Sequence, residues 1–315
     1  MIVTVTPNPS IDRTIAIDDL RHGEVHRATS SRVDPGGKGI NVSRALSAQG
    51  SATVAVLPVG GPEGRLLADL LESAQVPHRG VPIHGSARMN IAAVEPDGTT
   101  TKLNEAGPTL TEDEVGSLLE ATFAAAQGAT WIIGCGSLPP GVPADWYAVL
   151  VREGHARGLR VAIDSSGEPM RHAVAAGPSL IKPNREELAE LVGRPLATLG
   201  EVVDAARDLV AGGITWVFVS LGRDGALVIG ADTLAHATAD IPRKLSTVGA
   251  GDCMLAGVLD VLARGDDAVA ALAQGVEWGA AAVTLPGSRV PAPADLLGIT
   301  AVLDHTPDLT RPLTD

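Results

Sequence analysis

The chain lacks an excess of positive charge: its 24 Lys and Arg face 37 Asp and Glu, a formal net charge of -13. Nucleic acids and acidic membranes require a basic surface, so this balance argues against either as a partner. Any anionic small ligand must be met by a local cluster of positive groups. Cysteine is scarce too. Cys135 and Cys253 sit in apolar surroundings without metal-ligand spacing, which reads as two buried free thiols. No apolar run reaches the roughly 18 residues of a transmembrane helix. The opening Met1-Ile2-Val3-Thr4-Val5-Thr6 reads as a strand, not a signal peptide, so a cytoplasmic protein is expected. Low-complexity tracts and internal repeats are missing. Neither GxxxxGK[ST] nor GxGxxG after a strand occurs, which excludes a Walker loop and weakens a dinucleotide-binding reading.

What is present is a 315-residue chain with 45% apolar residues, enough to bury a large core in one main domain with a small appendage. Short β-rich runs recur at Ile2 to Thr6, Thr53 to Leu57, Trp131 to Gly134, Arg160 to Asp164, Leu180 to Lys182 and Trp216 to Ser220. Between them lie helix-like stretches at Leu66 to Ser73, Glu112 to Ala126, Ala144 to Gly158, Arg185 to Leu191 and Glu201 to Ala211. This alternation predicts an α/β fold with parallel strands and helices on both faces. Ligands bind such sheets beyond the carboxyl ends of the strands. The residues there are Asn8 and Asp12, Gly60 and Gly61, Gly136 and Ser137, Asp164, Asn184, and Ser220 with Gly222. Turns attract small and polar residues in any case, so the list places a site without naming it.

Residues 11 to 33 and 83 to 106 break the alternation and carry strand-like runs, with a turn at Pro96-Asp97-Gly98. A small β-sheet lid over the site is the expectation, against a plain surface hairpin. The tail after His305 is polar and proline-punctuated and reads as loosely ordered.

The stretch Ser246-Thr247-Val248-Gly249-Ala250-Gly251-Asp252 leads into an apolar helix beginning CMLAGVLDVLA at Cys253. The first amides of a helix have no acceptors within it, and with the macrodipole they make an anion site. Glycines let that backbone approach a phosphate, and Asp252 stands where it can take a proton from a hydroxyl. A capping aspartate on a core helix has the same pattern. A second glycine cluster, Asp34-Pro35-Gly36-Gly37-Lys38-Gly39-Ile40-Asn41, precedes another helical run and suits a polyhydroxylated or phosphorylated ligand.

Together, GGKGINVSRAL at 36 to 46 and STVGAGDCMLAG at 246 to 257 resemble the two signature regions of the PfkB (ribokinase-like) carbohydrate kinase family. The likeness extends through TPNPSID at 6 to 12, GSLPPG at 136 to 141, DSS at 164 to 166, KPNREE at 182 to 187 and SLGRDG at 220 to 225. It implies a three-layer sandwich with a mainly parallel central sheet, one kinase domain over residues 1–315, and ATP and Mg2+ at the site. By the same resemblance Asp252 is the catalytic base and the amides of Gly249, Ala250 and Gly251 form the anion hole. Asp12, Gly37 and Asn41 match positions that hold sugar hydroxyls. Lys38 and Arg88 are placed for the substrate phosphate, with Ser137 nearby and Lys102 a lesser candidate. Asn184 and Glu187 correspond to an NxxE element that organises magnesium through water. Ser220, Gly222 and Gly225 match the loop for the nucleotide phosphates, with Gly251 beside them, and Gly279 lies where the family encloses adenine. Ser246 departs from the Asp that many members carry, which leaves the neighbouring monovalent-cation site open.

TPNPSID, GSLPPG and KPNREEL look like the phosphosugar branch of this family. Lys38 within GGKG resembles the pattern of 1-phosphofructokinase and tagatose-6-phosphate kinase, and Asn104 ahead of Gly107-Pro108 looks most like 1-phosphofructokinase, which phosphorylates fructose 1-phosphate at its 6-hydroxyl. Asp164 to Glu168 and Pro58 to Gly61 also resemble the 6-phosphofructokinase type, and tagatose-6-phosphate kinase is a further alternative. A non-catalytic sugar-phosphate sensor would have lost the base, which is present; an NAD-dependent oxidoreductase would need the missing fingerprint. Family members often dimerise through the lid.

Overall fold

The computed structural model describes residues 1–241, 243–265 and 267–314. In chain order the elements are β1 (Ile2–Val5), β2 (Ser10–Ala16), β3 (Ser30–Gly36), α1 (Lys38–Ala48), β4 (Thr53–Val59), α2 (Gly61–Ser73), β5 (His78–Pro82), β6 (Arg88–Val94) and β7 (Thr100–Asn104). They continue with α3 (Glu112–Ala125), β8 (Trp131–Cys135), α4 (Trp146–Ala156), β9 (Arg160–Asp164), α5 (Gly167–Ala175), β10 (Leu180–Ile181), α6 (Arg185–Val192), α7 (Leu199–Ala211) and β11 (Trp216–Ser220). The last are β12 (Ala226–Ile229), β13 (Leu234–Ala239), α8 (Ala250–Arg264), α9 (Ala268–Val283) and β14 (Ala301–Asp304). Each run read as a main-sheet strand becomes one, and each predicted helical stretch falls on a helix.

Ten strands form the main sheet in the order β14-β13-β12-β11-β10-β9-β8-β1-β4-β5. From β5 to β11 neighbouring strands are parallel, and from β11 to β14 they are antiparallel. A parallel sheet is covered on both faces, so its strands read as nearly continuous apolar runs. Ile132 faces Leu118, Tyr147 and Leu150, whereas Trp131, Ile133 and Cys135 face Val42, Leu46 and Leu255. The core layers place α1, α2, α8 and α9 on one side and α3 to α7 on the other, the expected three-layer sandwich. Both cysteines are buried and free, as read from the sequence. No helix among the described residues is long and apolar enough to cross a membrane.

The winding direction changes at β1. The chain leaves β1 for β4 and β5 on one side, then returns to β8 on the other and continues to β11. The carboxyl ends of β1 and β8 therefore splay apart at a switch point, where open α/β sheets hold ligands. Above it stands a separate sheet, ordered β3-β2-β6-β7, built from the two segments that broke the alternation. Its strands extend slightly beyond the expected limits, from Ser10 to Gly36 on the first segment. The predicted turn at 96 to 98 joins β6 to β7, with Asp97 Oδ1 accepting from the Thr99 amide at 2.8 Å.

The tail differs from the sequence expectation. Gly200 N donates to Leu309 O at 2.8 Å, Leu313 N to Ala197 O at 2.8 Å, and Arg311 pairs with Asp224 at 3.8 Å. Leu309 and Leu313 also pack on the core, so backbone pairing and two apolar anchors dock a segment whose composition is polar.

Helices α8 and α9 meet through glycine. A Cβ on Gly275 would lie 2.7 Å from Val258 Cγ2 and 2.9 Å from the Met254 carbonyl oxygen. Gly275→Ala is therefore expected to push the two helices apart and destabilise the fold by about 1–3 kcal/mol. Urea denaturation checks this; an unchanged midpoint would show that the seam has slack.

Candidate active site

Asp164, at the end of β9, is fully buried and cannot be left unpaired. Its Oδ1 accepts from Lys38 Nζ at 2.7 Å, and its Oδ2 lies 3.4 Å from Lys182 Nζ. Burial opposes its charge, but the two ammonium groups outweigh burial and hold its carboxyl below the usual range. Lys38 opens α1, and its ammonium also stands 3.4 Å from Glu187 Oε1. Burial works against that charge too, yet Asp164 and Glu187 raise the lysine above its ordinary value.

Asp252 lies in the first turn of α8, 8% exposed. The helix starts at Gly249, whose φ of 80° is a left-handed conformation that suits glycine, and no side chain caps it. Ala250 N donates to Thr247 O at 3.3 Å, and no side chain takes the other amides of this first turn, the open helix start that the sequence pattern anticipates. Asn41 Nδ2 donates to Asp252 Oδ2 at 2.8 Å, tying α1 to α8. Burial first, and the Asp164 charge second, push the Asp252 carboxyl up to about 6, with the Asn41 hydrogen bond and the two lysines opposing. Lys182 belongs to the same cluster: a Cβ on Gly251 would lie 3.4 Å from its Nζ. The cations beside the α8 terminus are thus Lys38, shared with the carboxylates of Asp164 and Glu187, and Lys182, shared with that of Asp164.

Glu187 and Asn184 form a capping box at the start of α6. Asn184 Oδ1 accepts from Glu187 N at 2.7 Å, and Glu187 Oε2 accepts from Asn184 N at 2.9 Å. That leaves Glu187 Oε1 facing Lys38. No group of three or more His, Cys, Asp or Glu suited to a metal ion is present among the described residues. Ser220 ends β11 and bridges to Asn184, and Gly222 and Gly225 form the turn beyond it. Ser246, the residue that departs from the family pattern, accepts from Val248 N at 3.2 Å within its own turn.

On the lid side, Asp12 Oδ1 accepts from Ser10 Oγ at 2.7 Å and from Asn90 Nδ2 at 3.1 Å. A Cβ on Gly36 would come within 2.3 Å of that carboxylate, so a larger residue here would displace the Asp12 side chain. Gly37 follows at φ 114°, as the residue from which α1 starts. The strand register sets Asp34 opposite Asp12, Asp12 opposite Asn90, and Asn90 opposite Asn104. One polar row thus crosses all four lid strands, with exposed Asn104 at its end. Arg88 starts β6; its Nη1 donates to Glu105 O at 2.9 Å and its Nη2 to Asn8 O at 3.1 Å. Asn8 Nδ2 reaches Ala106 O at 2.9 Å and Ser137 Oγ at 3.2 Å. Asn8 Oδ1, Arg88 Nε, Asn90 Oδ1 and Asp164 Oδ2 are buried without a hydrogen-bond partner in the protein.

The fold thus brings Asp12, Gly37, Asn41, Arg88 and Ser137 to one side and Asn184, Glu187 and Asp252 to the other, with Lys38 between. Lys102 is exposed on β7. Gly279 lies in the α8–α9 seam, where its Cβ would stand 3.2 Å from Ala250 O, a packing position behind the α8 terminus. Sequence reasoning assigned no role to Lys182, Asp164 or Asn90. The first two lie in quoted motifs, but their pairing across 18 residues is visible only in the fold.

Comparison with known proteins agrees with this geometry. The model of the pfkB family carbohydrate kinases matches residues 5–295. A 1-phosphofructokinase of Haloferax volcanii is 37% identical over 312 residues, 99% of this chain and 100% of that protein. An ATP-dependent 6-phosphofructokinase isozyme 2 of Mycobacterium tuberculosis is 37% identical over 292 residues, 91% of this chain and 85% of its own length. Phosphofructokinase-2 from Escherichia coli, solved in complex with substrates and products, superposes with a TM-score of 0.89 at 34% identity, covering 94% of this chain and 96% of that one. The buried carboxylate at an uncapped helix start, the paired lysines beside it and the lid above are set in a chain that belongs to the pfkB family of carbohydrate kinases.

Proposed function

We propose that this chain transfers the γ-phosphoryl group of ATP to the 6-hydroxyl of fructose 1-phosphate, giving fructose 1,6-bisphosphate. The observation that carries the phosphoryl-transfer reading is Asp252, buried at the open start of α8 and oriented by Asn41. In this reading Asp252 takes the proton of the attacking hydroxyl, while the amides of Gly249, Ala250 and Gly251 receive charge on the transferring group. Lys38 and Lys182 balance the same charge, so positioning and electrostatics supply most of the catalysis. Asn184, Ser220, Gly222 and Gly225 cradle the nucleotide phosphates. Glu187 keeps Oε1 out of its cap and so fits as the carboxylate for a water of the magnesium that accompanies ATP. That ion supplies charge neutralisation on the phosphates when bound.

The choice of sugar rests on Lys38 within GGKG, on Asn104, and on relatives named 1-phosphofructokinase. Relatives named 6-phosphofructokinase reach the same 37% identity, so fructose 6-phosphate is the second reading. Asp12, Gly37, Asn41 and Asn104 are assigned to sugar hydroxyls, and Arg88 and Ser137 to the sugar phosphate. Exposed Leu20, Val25 and Leu103 on the lid segments support a homodimer through it, which the mass in solution by light scattering checks.

An ADP-release assay across fructose 1-phosphate, fructose 6-phosphate, tagatose 6-phosphate and free fructose should give the highest kcat/KM for fructose 1-phosphate. A preference for fructose 6-phosphate would move the chain to the second reading.

Asp252→Asn should lower kcat by about 10²–10⁴-fold, the usual contribution of a general base. A carboxyl raised to about 6 in the folded state, above its value of 3.8 in the open chain, costs stability once ionised. The melting temperature of Asp252→Asn at neutral pH should accordingly not fall. In the parent, kcat should decline as pH drops through about 6, where the base becomes protonated. Near-normal turnover in Asp252→Asn would end the base assignment.

Lys38 stands between the two halves of the site. Lys38→Met should therefore lower kcat as well as raise the phosphosugar KM, whereas Arg88→Met should mainly raise that KM. A sugar titration at saturating ATP separates the two, and an unchanged kcat in Lys38→Met would place that lysine on the sugar phosphate alone.

A further inference from the structure

We infer that Arg44 is a positioning residue for phosphoryl transfer: its guanidinium fixes which way the Asn41 amide faces, and thereby ensures that Asn41 donates to Asp252. The inference rests on Asp252 acting as the base.

Arg44 lies one turn after Asn41 on α1, a spacing at which side chains meet. Its Nη1 is 3.1 Å from Asn41 Oδ1, and Asn41 Nδ2 is 2.8 Å from Asp252 Oδ2. An asparagine amide has one accepting and one donating end, and an ionised carboxylate only accepts. A guanidinium only donates. With Arg44 on one side and Asp252 on the other, a single orientation of the amide satisfies both neighbours. The flipped amide would set its oxygen against the carboxylate and its NH2 against the guanidinium, two repulsions in a buried place where neither is screened.

Arg44 is itself held from outside the site. The same Nη1 lies 3.3 Å from Pro35 O near the end of β3 and 3.2 Å from Ser288 O in the segment after α9. Backbone carbonyls from two segments distant in sequence therefore hold the guanidinium. Burial lowers its pKa; Asp34, Cys253 and Asp12 oppose that change, and Arg32 adds to it. An arginine remains a donor throughout the working pH range. The charged groups around Asp252 are Asp164 at the end of β9, Lys38 on α1 and Lys182 after β10. None of these three restrains the Asn41 amide; beyond Asp252 itself, the group that holds its orientation is Arg44, on the oxygen end.

The test compares Arg44→Met, which has no donor, Arg44→Lys, which only donates, and Arg44→Gln, which can present either end of its amide. In Arg44→Met kcat should fall about tenfold or more, as expected when a reacting group loses its alignment. The acidic limb of the kcat profile should move up by about half a pH unit or more, because Asp252 loses a fixed donor. Arg44→Lys should keep that limb where the parent has it, and Arg44→Gln should lie between them. Melting curves and circular dichroism report folding. If Arg44→Met does not fold, the Lys and Gln variants decide the matter by the same limb. An acidic limb that stays in place in every folded variant, with losses that track melting temperature alone, would reduce Arg44 to a clasp and overturn the inference. Asp252→Asn run alongside separates the two readings. Retained turnover there removes the base itself, whereas lost turnover with an unmoved limb in the Arg44 variants removes only the Arg44 assignment.

Discussion

A buried carboxylate has to be paired, and at Asp164 that requirement gathers the site. Its two partners come from the first turn of α1 and from the residue after β10, so the start of a helix and the ends of two strands are drawn to one point. Removing either lysine would leave the buried carboxylate with a single cation, and removing both would leave an uncompensated charge away from water, which costs far more than a surface ion pair contributes. The same charge acts on Asp252. After burial, Asp164 is the group that raises the Asp252 carboxyl, while Asn41, Lys38 and Lys182 restrain it. A stronger Asp164 field would keep Asp252 protonated at neutral pH, and a weaker one would leave it a poorer proton acceptor. Anion binding and base strength are therefore set by one balance of charges.

That balance can be built only where the sheet allows it. The switch in winding at β1 opens a crevice between the ends of β1 and β8, and residues as distant in sequence as Asn8, Ser137, Asp164 and Asp252 meet around it. The lid hangs from the same place. Ser10 begins β2 almost directly after β1, and Gly36 ends β3 just before α1. Movement of the lid would therefore be felt at Gly37 and Lys38 as soon as at Asp12.

Much of this was legible in the sequence. Six parallel strands, the buried α8 with its glycine-flanked start, the lid segments and the free thiols all follow from local patterns that the fold has no reason to override. The antiparallel extension β12 to β14 did not announce itself, because pairing at a sheet edge depends on a distant partner rather than on a local period. Helix α9 was missed for a different reason: its alanine-rich run AVAALAQGVEWGAAAV has little polar period, since it is packed into the α8 seam. Lys182 and Asp164 each look like ordinary strand-end residues until the sheet sets them side by side. Gly279 matches a family position for adenine, and a Cβ there would stand 3.2 Å from Ala250 O and 3.3 Å from Met254 Cβ on α8. Motif matching conveys where a residue stands in the chain, whereas the contacts determine what its missing side chain makes room for.

The two halves of the site also explain why the reaction is easier to read than the sugar. Phosphoryl transfer is assigned to groups on the main sheet and its helices, and they are tied by short hydrogen bonds and ion pairs between Lys38, Asn41, Asp164 and Asp252. Sugar contacts are assigned largely to the lid, along the row from Asp34 through Asp12 and Asn90 to Asn104, which strand register aligns and the hydrogen bond from Asn90 to Asp12 joins. Moving the phosphate from one end of a ketohexose to the other leaves the attacking hydroxyl and the γ-phosphoryl group in the same chemical relation to Asp252. It changes which lid and loop donors are engaged, and a buried donor left unpaired is what discriminates between such isomers. Among the described residues Arg88 Nε is a buried donor of this kind, and the unpartnered oxygens of Asn8 and Asn90 are buried acceptors that discriminate in the same way. Selectivity among phosphosugars can therefore drift by substitution along the lid while the bond from Asn41 to Asp252 stays as it is.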